Sequence, residues 1–207
     1  MSQDDLIRRL RERLTLPATL SGDVPRGDFD LNPHLGADRP DKATLRPAAV
    51  LIPIVQRLPE PQVLFTRRAD HLSRHAGQVS FPGGRVNDDD ASVIDAALRE
   101  TEEEVGLARS HVEILGALDA YETGTGFRIQ PIVGLVSEGF DLKVDPDEVA
   151  EVFEVPLKFL MDSRNHQTRS GVWQGVERRY YEIPYGRHYI WGATAGILVN
   201  LHHSLYR

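Results

Sequence analysis

Residues 99–107, which read Arg-Glu-Thr-Glu-Glu-Glu-Val-Gly-Leu, constrain this 207-residue chain more than any other segment. Glu100, Glu103 and Glu104 are three and four positions apart where a helix is expected, so they share one helix face and point towards its start. Like charges that close repel one another unless cations neutralise them. Carboxylates without nearby Cys or His suit hard divalent ions such as Mg²⁺ or Mn²⁺. A solvated acidic helix face is the alternative interpretation.

Glycines flank this acidic segment on both sides. Phe81-Pro82-Gly83-Gly84 predicts a turn before the helix, and Gly106 predicts its end, because glycine tolerates the left-handed conformation found there. We therefore expect a helix over residues 92–104. Its inward-facing side chains are expected to be Val93, Ala96, Ala97 and Thr101.

With these glycines, the acidic helix resembles the box of the Nudix hydrolases. That box reads Gly-x5-Glu-x7-Arg-Glu-U-x-Glu-Glu-x-Gly-U, where U is a bulky apolar residue. Residues 99–107 match it except at Thr101, which stands where an apolar residue is expected. The stretch from Gly84 to Arg99 is one residue longer than in the general box, with Asp90 in the place of the early Glu.

The same longer spacing occurs in a subgroup of the family that cleaves coenzyme A. Residues 63–84 are similar to that subgroup's upstream signature, Leu-Leu-Thr-x-Arg-[Ser/Ala]-x3-Arg-x3-Gly-x-Val-x-Phe-Pro-Gly-Gly. The similar positions are Thr66-Arg67, Arg74-His75, Gly77-Gln78-Val79 and Phe81-Pro82-Gly83-Gly84. The two motifs adjoin one another, so the resemblance covers residues 63–107 without a break.

This resemblance implies metal-dependent hydrolysis of the pyrophosphate bond of coenzyme A and its derivatives. The expected products are adenosine 3′,5′-bisphosphate and 4′-phosphopantetheine, which keeps any acyl group. One alternative is the same chemistry on another nucleoside diphosphate derivative, such as ADP-ribose or NADH. A second alternative is a non-catalytic Nudix domain that binds a nucleotide, although such a domain does not need the complete set of glutamates.

The resemblance also assigns roles to the residues of the acidic helix. Glu100, Glu103 and Glu104 are expected to bind the Mg²⁺ or Mn²⁺ ions, with the backbone carbonyl of Gly84 as a further ligand. Arg99 is expected to hold a glutamate in place, because its donors suit paired contacts with a carboxylate. A plain surface salt bridge is the alternative role for this arginine.

A fourth acid is expected from outside the box, as a metal ligand or as the general base. Glu148 is the candidate, because it lies in an acidic segment just before a strand that ends in Val155-Pro156-Leu157. Glu151 is its rival, and a merely solvated acidic loop is the other interpretation.

Arg67, Arg74 and His75 are the candidates for binding the substrate phosphates, since arginine presents paired donors that match phosphate oxygens. Arg74 is expected to contact the 3′-phosphate of coenzyme A. Surface ion pairs or a capped loop would also account for these residues. The tyrosines and tryptophans over residues 173–191 are expected in the core or an interface.

Composition limits the remaining possibilities. The chain is 41% hydrophobic and 27% charged, as expected of one globular domain. Its net charge of −7 argues against a nucleic-acid-binding surface, and the absence of cysteine excludes disulfides and thiolate chemistry. No segment approaches the ~20 apolar residues of a membrane span, and the N-terminus lacks a secretory signal. A cytoplasmic location is therefore expected.

Periodicity predicts a mixture of helices and strands, and the resemblance implies an α/β/α sandwich around a mixed β-sheet. Residues 1–47 are expected to form an N-terminal helix (4–14) and an irregular arm (16–47) of the same domain, followed by the Nudix hydrolase domain over 48–207. Strands are expected at 48–55, 62–66, 78–81, 112–118, 129–136, 151–155 and 180–183, and a final helix at 193–201. The N-terminal segment or the final helix is expected to contribute to a homodimer interface, although either could instead pack on its own domain.

Overall fold

The computed structural model describes residues 3–15, 26–38, 41, 44–173 and 175–206. Within these ranges the chain forms four α-helices, which are α1 (Gln3–Arg13), α2 (Val93–Val105), α3 (Leu157–Leu160) and α4 (Gly192–Tyr206). The strands are β1 (Arg26–Gly27), β2 (Arg46–Val55), β3 (Gln62–Arg68), β4 (Val79–Ser80), β5 (Gly83–Arg85), β6 (Val112–Ala117), β7 (Tyr121–Glu122), β8 (Phe127–Val136), β9 (Val149–Pro156), β10 (Gln167–Trp173), β11 (Val176–Tyr185) and β12 (His188–Trp191).

A mixed sheet lies at the centre of the fold. Its strand order within the described residues is β1-β7-β8-β2-β3-β4, with β5 paired to β2, β6 to β8 and β9 to β3. The long central pair β2–β8 is parallel, whereas β3 runs antiparallel to both β2 and β9. The near-continuous apolar run of β2 is typical of a strand that is covered on both faces.

Helices cover both faces of this sheet. Because side chains alternate along a strand, Leu51 and Leu64 pack with α2, while Ile52 and Phe65 pack with α1 and α4 on the other side. The result is two hydrophobic clusters separated by the sheet. This arrangement confirms the expected α/β architecture around a mixed sheet.

The acidic helix α2 forms almost where the sequence predicts it. The Ser92 side chain accepts a hydrogen bond from the Asp95 backbone N–H at 3.1 Å, and Gly106 ends the helix with φ 72°. Thr101 is fully buried, and its hydroxyl donates to the Ala97 carbonyl at 2.7 Å. This bond satisfies the one polar group that occupies an apolar position of the box.

The turn expected at Phe81-Pro82-Gly83-Gly84 is wrong in part, because Gly83 and Gly84 belong to strand β5 and pair with β2. Gly83 has φ 147°, and a Cβ atom there would lie 2.4 Å from the carbonyl oxygen of Ala49. Glycine therefore serves here to let two strand backbones approach closely, not to close a tight turn.

The irregular arm expected over residues 16–47 is also wrong in part. Strand β1 joins the sheet beside β7, residues Pro33–Asp38 form a 3₁₀ helix, and β2 already begins at Arg46. The Asn32 side chain accepts from the Arg179 N–H at 2.7 Å and donates to the Arg179 carbonyl at 2.8 Å. A two-residue strand is too short to show a period in the sequence. The predicted arm at 16–25, 39–40 and 42–43 lies outside the described residues.

A second sheet, formed by the antiparallel strands β10, β11 and β12, extends the single strand expected at 180–183. It contacts α4 through β11 and β12. Among the aromatic residues expected in the core or an interface, Tyr189 is not in the core, because its exposed fraction is 43%.

The apolar face of α1 packs on its own chain. Leu6, Leu10 and Leu14 are buried in the cluster that also contains α4. These two helices thus bury the apolar surfaces that suggested a homodimer, and the homodimer stays a prediction. In the described part of the chain, no helix is long and apolar enough to cross a membrane.

Candidate active site on the acidic helix

Glu104 is the most deeply buried of the three box glutamates. Its carboxylate accepts a hydrogen bond from the Gly83 backbone N–H at 3.1 Å, and the Arg68 guanidinium lies 4.0 Å from its other oxygen. Burial raises the pKa of Glu104 to about 8; the charges of Glu148 and Glu100 contribute to the rise, while Gly83 and Arg68 oppose it. Such a carboxyl group needs a cation or a proton beside it.

Glu100 lies against the backbone of Gly84. A Cβ atom on Gly84 would be only 2.2 Å from Oε2 of Glu100, so a side chain at position 84 would collide with this carboxylate. Burial raises the pKa of Glu100, and the charges of Glu103 and Glu148 contribute to the rise, while Arg99 opposes it. The Gly84 backbone and the Glu100 carboxylate therefore lie side by side.

Arg99 connects the acidic helix to the loop before it. It donates to Glu100 Oε1 at 2.9 Å and to Glu103 Oε2 at 3.0 Å. It also donates to the two oxygens of Asp90 at 2.8 and 3.0 Å and to the Arg85 carbonyl at 3.1 Å. These bonds from Arg99 hold the pKa of Asp90 below its usual value. Asp90 thus orients Arg99, and the sequence signal for this role is its position in the place of the early Glu of the box.

Glu103 differs from the other two box glutamates. Its side chain is 60% exposed and faces Arg99. The structure therefore brings Glu100 and Glu104 together and leaves Glu103 on the exposed flank of the helix.

Glu148 and Glu151 lie on different sides of the sheet. Glu148 is close enough to Glu100 and Glu104 for its charge to raise the pKa of both. Glu151 is in β9 on the same face as Phe153, and it binds Arg187 and His188. Glu148 lies just before β9, whereas Glu151 lies within this strand. Of the two rivals, Glu148 is the one beside the box glutamates.

The three candidate phosphate-binding residues do not meet the box glutamates. Arg67 pairs with Asp70 at 2.6 Å and lies 3.7 Å from Glu151. Arg74 and His75 are exposed in the connection between β3 and β4. The arginine that faces Glu104 is instead Arg68, since consecutive side chains in a strand point to opposite faces. The alternation of β3 could have singled out this residue from the sequence.

The donor set fits a hard divalent cation. Glu100, Glu104 and Glu148 offer carboxylate oxygens whose mutual repulsion a cation would relieve, and the Gly84 backbone lies against Glu100. Across the described residues, no three acidic or histidine side chains already form a metal cage. A cation would compete with Arg99 for Glu100 and Glu103.

The family model of the NUDIX domain matches residues 45–173, a range that contains both motifs and the glutamates. The chain belongs to the Nudix family. Nudix hydrolase NudL of Yersinia pestis (strain Pestoides F), which is described as uncharacterized, is 46% identical over 159 residues, covering 77% of this chain and 79% of that protein. NudL of Yersinia pseudotuberculosis serotype O:1b has the same identity and coverage. This Nudix chain is a hydrolase of the pyrophosphate bond in a nucleoside diphosphate derivative.

Solved structures with a similar fold include the MutT protein from Methanosarcina mazei Go1. It is 24% identical with a TM-score of 0.47, and the likeness covers 59% of this chain and 84% of that one. The NUDIX domain of Shewanella oneidensis NrtR, which was solved with ADP ribose, is 17% identical with a TM-score of 0.44 over 61% and 84% of the two chains.

Proposed function

We propose that this Nudix hydrolase cleaves coenzyme A and its derivatives, yielding adenosine 3′,5′-bisphosphate and 4′-phosphopantetheine or its acyl form. The observation that supports this substrate is that residues of the coenzyme A signature contact the acidic helix of the box. The signature's last strand, β5, donates the Gly83 N–H to Glu104, and Arg68 of β3 faces the same carboxylate. The segment that resembles the coenzyme A subgroup thus borders the acidic helix directly.

In this proposal Glu100, Glu103 and Glu104, with the Gly84 carbonyl, would hold Mg²⁺ or Mn²⁺. When bound, divalent ions neutralise the charge of the pyrophosphate and lower the pKa of the attacking water. Arg99 orients Glu100 and Glu103 through its bonds to both.

Two further residues have roles in the same proposal. Glu148, beside Glu100 and Glu104, would accept the proton of the attacking water or act as a fourth metal ligand. Arg68 would donate to the phosphate oxygens, because its guanidinium lies at the edge of the glutamate cluster and remains 29% exposed. Glu148 and Arg68 would thus contribute to hydrolysis through their charges and their places beside the box glutamates.

A panel of substrates tests this proposal. Coenzyme A, acetyl-coenzyme A, ADP-ribose and NADH would be incubated with the purified protein and Mg²⁺ or Mn²⁺, and the products separated by chromatography. We expect 4′-phosphopantetheine and adenosine 3′,5′-bisphosphate from coenzyme A, with no product after chelation of the metal. The Glu104→Gln variant is the control for a contaminating hydrolase.

The same panel distinguishes the alternatives. Faster cleavage of ADP-ribose or NADH than of coenzyme A would assign the chain to another nucleoside diphosphate substrate. A protein that binds one of these nucleotides in calorimetry but cleaves none would be a non-catalytic Nudix domain. Either result would overturn the coenzyme A proposal.

A further inference from the structure

A cleft of about 190 Å³ lies beside the end of β3, away from the box glutamates. Arg67 and residues 76–79 line one wall, and residues 187–189 with Trp191 line the other. The first wall belongs to the connection between β3 and β4, whereas the second belongs to the β11–β12 hairpin of the small sheet. The cleft is thus formed where the two sheets meet.

Basic side chains surround the carboxylate of Glu151 at this cleft. Glu151 is in contact with Arg187, its Oε1 lies 3.1 Å from His188 Nε2, and its Oε2 lies 3.7 Å from Arg67 Nε. Arg67 has a second partner in Asp70, whose side chain is 75% exposed. Glu151 therefore holds two guanidinium groups and an imidazole ring together at one place.

The side chains of these groups differ in how freely they can move. The His188 ring stacks on Phe153 with centroids 3.6 Å apart and planes at 5°, so its orientation is fixed. The side chain of Arg187 is 77% exposed, so it can turn from Glu151 to a ligand without leaving a buried charge unpaired. Gly77 has φ 69°, and a Cβ atom there would be 3.6 Å from Arg67 Nη1. The backbone at Gly77 thus runs close to the Arg67 guanidinium.

Aromatic rings continue the wall beyond the cations. Tyr189 is 43% exposed, and its ring lies 6.3 Å from that of Trp191 at an angle of 30°. Both residues line the cleft. Exposed aromatic surface beside paired arginines can bind a nucleotide, which presents a flat base next to phosphate groups.

We propose that this cleft binds a phosphomonoester group on the nucleoside half of the substrate, with Arg187 as the residue that determines the specificity for it. The planar donor forks of Arg187 and Arg67 match phosphate oxygens, and Glu151 serves as their counter-ion when the cleft is empty. This inference rests on the proposed coenzyme A substrate, whose nucleoside carries a 3′-phosphate besides the diphosphate.

The cleft and the hydrolysis site are connected through neighbouring residues of β3. Arg67 and Arg68 are consecutive residues, with Cα atoms about 3.8 Å apart, but Arg68 faces Glu104 while Arg67 faces Glu151. In this proposal a nucleotide crosses the end of β3, with its diphosphate at the glutamates and its remaining phosphate in the cleft. Arg74, the residue expected to read the 3′-phosphate, does not line this cleft.

The test compares coenzyme A with dephospho-coenzyme A, which lacks only the 3′-phosphate. We expect Arg187→Gln to lower the ratio of their kcat/KM values about tenfold, equivalent to about 1.4 kcal/mol. Arg164→Gln is the matched control, because Arg164 is also an exposed arginine paired with one acid, Asp162, but does not line the cleft. An unchanged ratio in Arg187→Gln would overturn the inference, as would an equal fall in Arg164→Gln.

A binding measurement separates this inference from the proposed function. Calorimetry would compare adenosine 3′,5′-bisphosphate with AMP, which lacks the 3′-phosphate, on the full chain without metal. We expect the wild-type protein to prefer the bisphosphate and Arg187→Gln to lose most of that preference. If the wild-type protein cleaves no coenzyme A, the proposed function fails while this measurement still decides the cleft. Equal binding of both nucleotides by the wild-type protein would refute the phosphate site.

Discussion

Replacing Gly84 by alanine should disable hydrolysis without unfolding the protein. The new Cβ atom would lie 2.2 Å from Oε2 of Glu100 and 2.5 Å from its Cδ, whereas ordinary contacts begin at 3.4 Å. The carboxylate must therefore retreat by about 1.2 Å. Because the atoms that collide are the end of a flexible side chain, the backbone of β5 can stay in place.

The expected loss of turnover follows from this displacement. Moving a catalytic group by about 1 Å can cost roughly a hundredfold in rate, which is about 2.7 kcal/mol of transition-state stabilisation. The cost in folding is smaller. A strained Glu100 rotamer costs roughly 0.5–1.5 kcal/mol, whereas exchanging glycine for alanine stabilises by about 0.4–1 kcal/mol through the unfolded chain. The melting temperature should thus change by no more than about 4 °C.

The assay measures kcat with the best substrate of the panel and thermal unfolding of the same preparations. Gly171→Ala is the neutral control, since its Cβ atom would meet only Tyr180 at an ordinary 3.7 Å. Gly83→Ala is the opposite control, because its Cβ atom would lie 2.4 Å from the Ala49 carbonyl oxygen and 2.6 Å from the Val50 Cα atom. That variant should lose stability, because backbone atoms of β2 would have to move.

A double-mutant cycle tests whether the Gly84→Ala substitution acts through Glu100. If the alanine acts by displacing Glu100, adding Gly84→Ala to a Glu100→Ala variant should cause almost no further loss of turnover. Additive losses would show that position 84 acts by another route. Wild-type kcat in a folded Gly84→Ala protein would show that hydrolysis does not need the Glu100 carboxylate at its observed place.

Four further expectations address the site, the core and the assembly. Glu103→Gln and Glu104→Gln should each lower kcat roughly a hundredfold or more while the protein stays folded, because an amide keeps the shape and loses the charge; near-normal turnover would remove that residue from the metal site. Glu148→Gln should lower kcat with coenzyme A more than Glu151→Gln, as steady-state kinetics would reveal, since only Glu148 lies beside the box glutamates. Leu10→Ala should lower the free energy of unfolding by about 2–5 kcal/mol in denaturant titrations, because this side chain of α1 is fully buried in the core. Light scattering at micromolar concentration tests the homodimer, and a monomer would exclude it.

The sequence by itself determined the acidic helix and its role as a candidate metal site. Helix spacing, the Ser92 cap and the Gly106 end are local properties that depend on few neighbours, so α2 formed within one residue of its expected bounds. The resemblance of residues 84–107 to the Nudix box indicated the family for the same reason, since the whole pattern lies in one continuous stretch.

Only the tertiary structure decided which charged side chains share a site. Arg67 and Arg68 are neighbours in the chain but meet different acids, because consecutive side chains of β3 point to opposite faces of the sheet. Glu148, just before β9, and Glu151, within it, likewise have different neighbours. The cleft forms only because the hairpin that carries Arg187 packs beside Arg67, although the two arginines are more than a hundred residues apart in the chain. Contacts of that range depend on the pairing of strands and the packing of two sheets, which no local period in the sequence encodes.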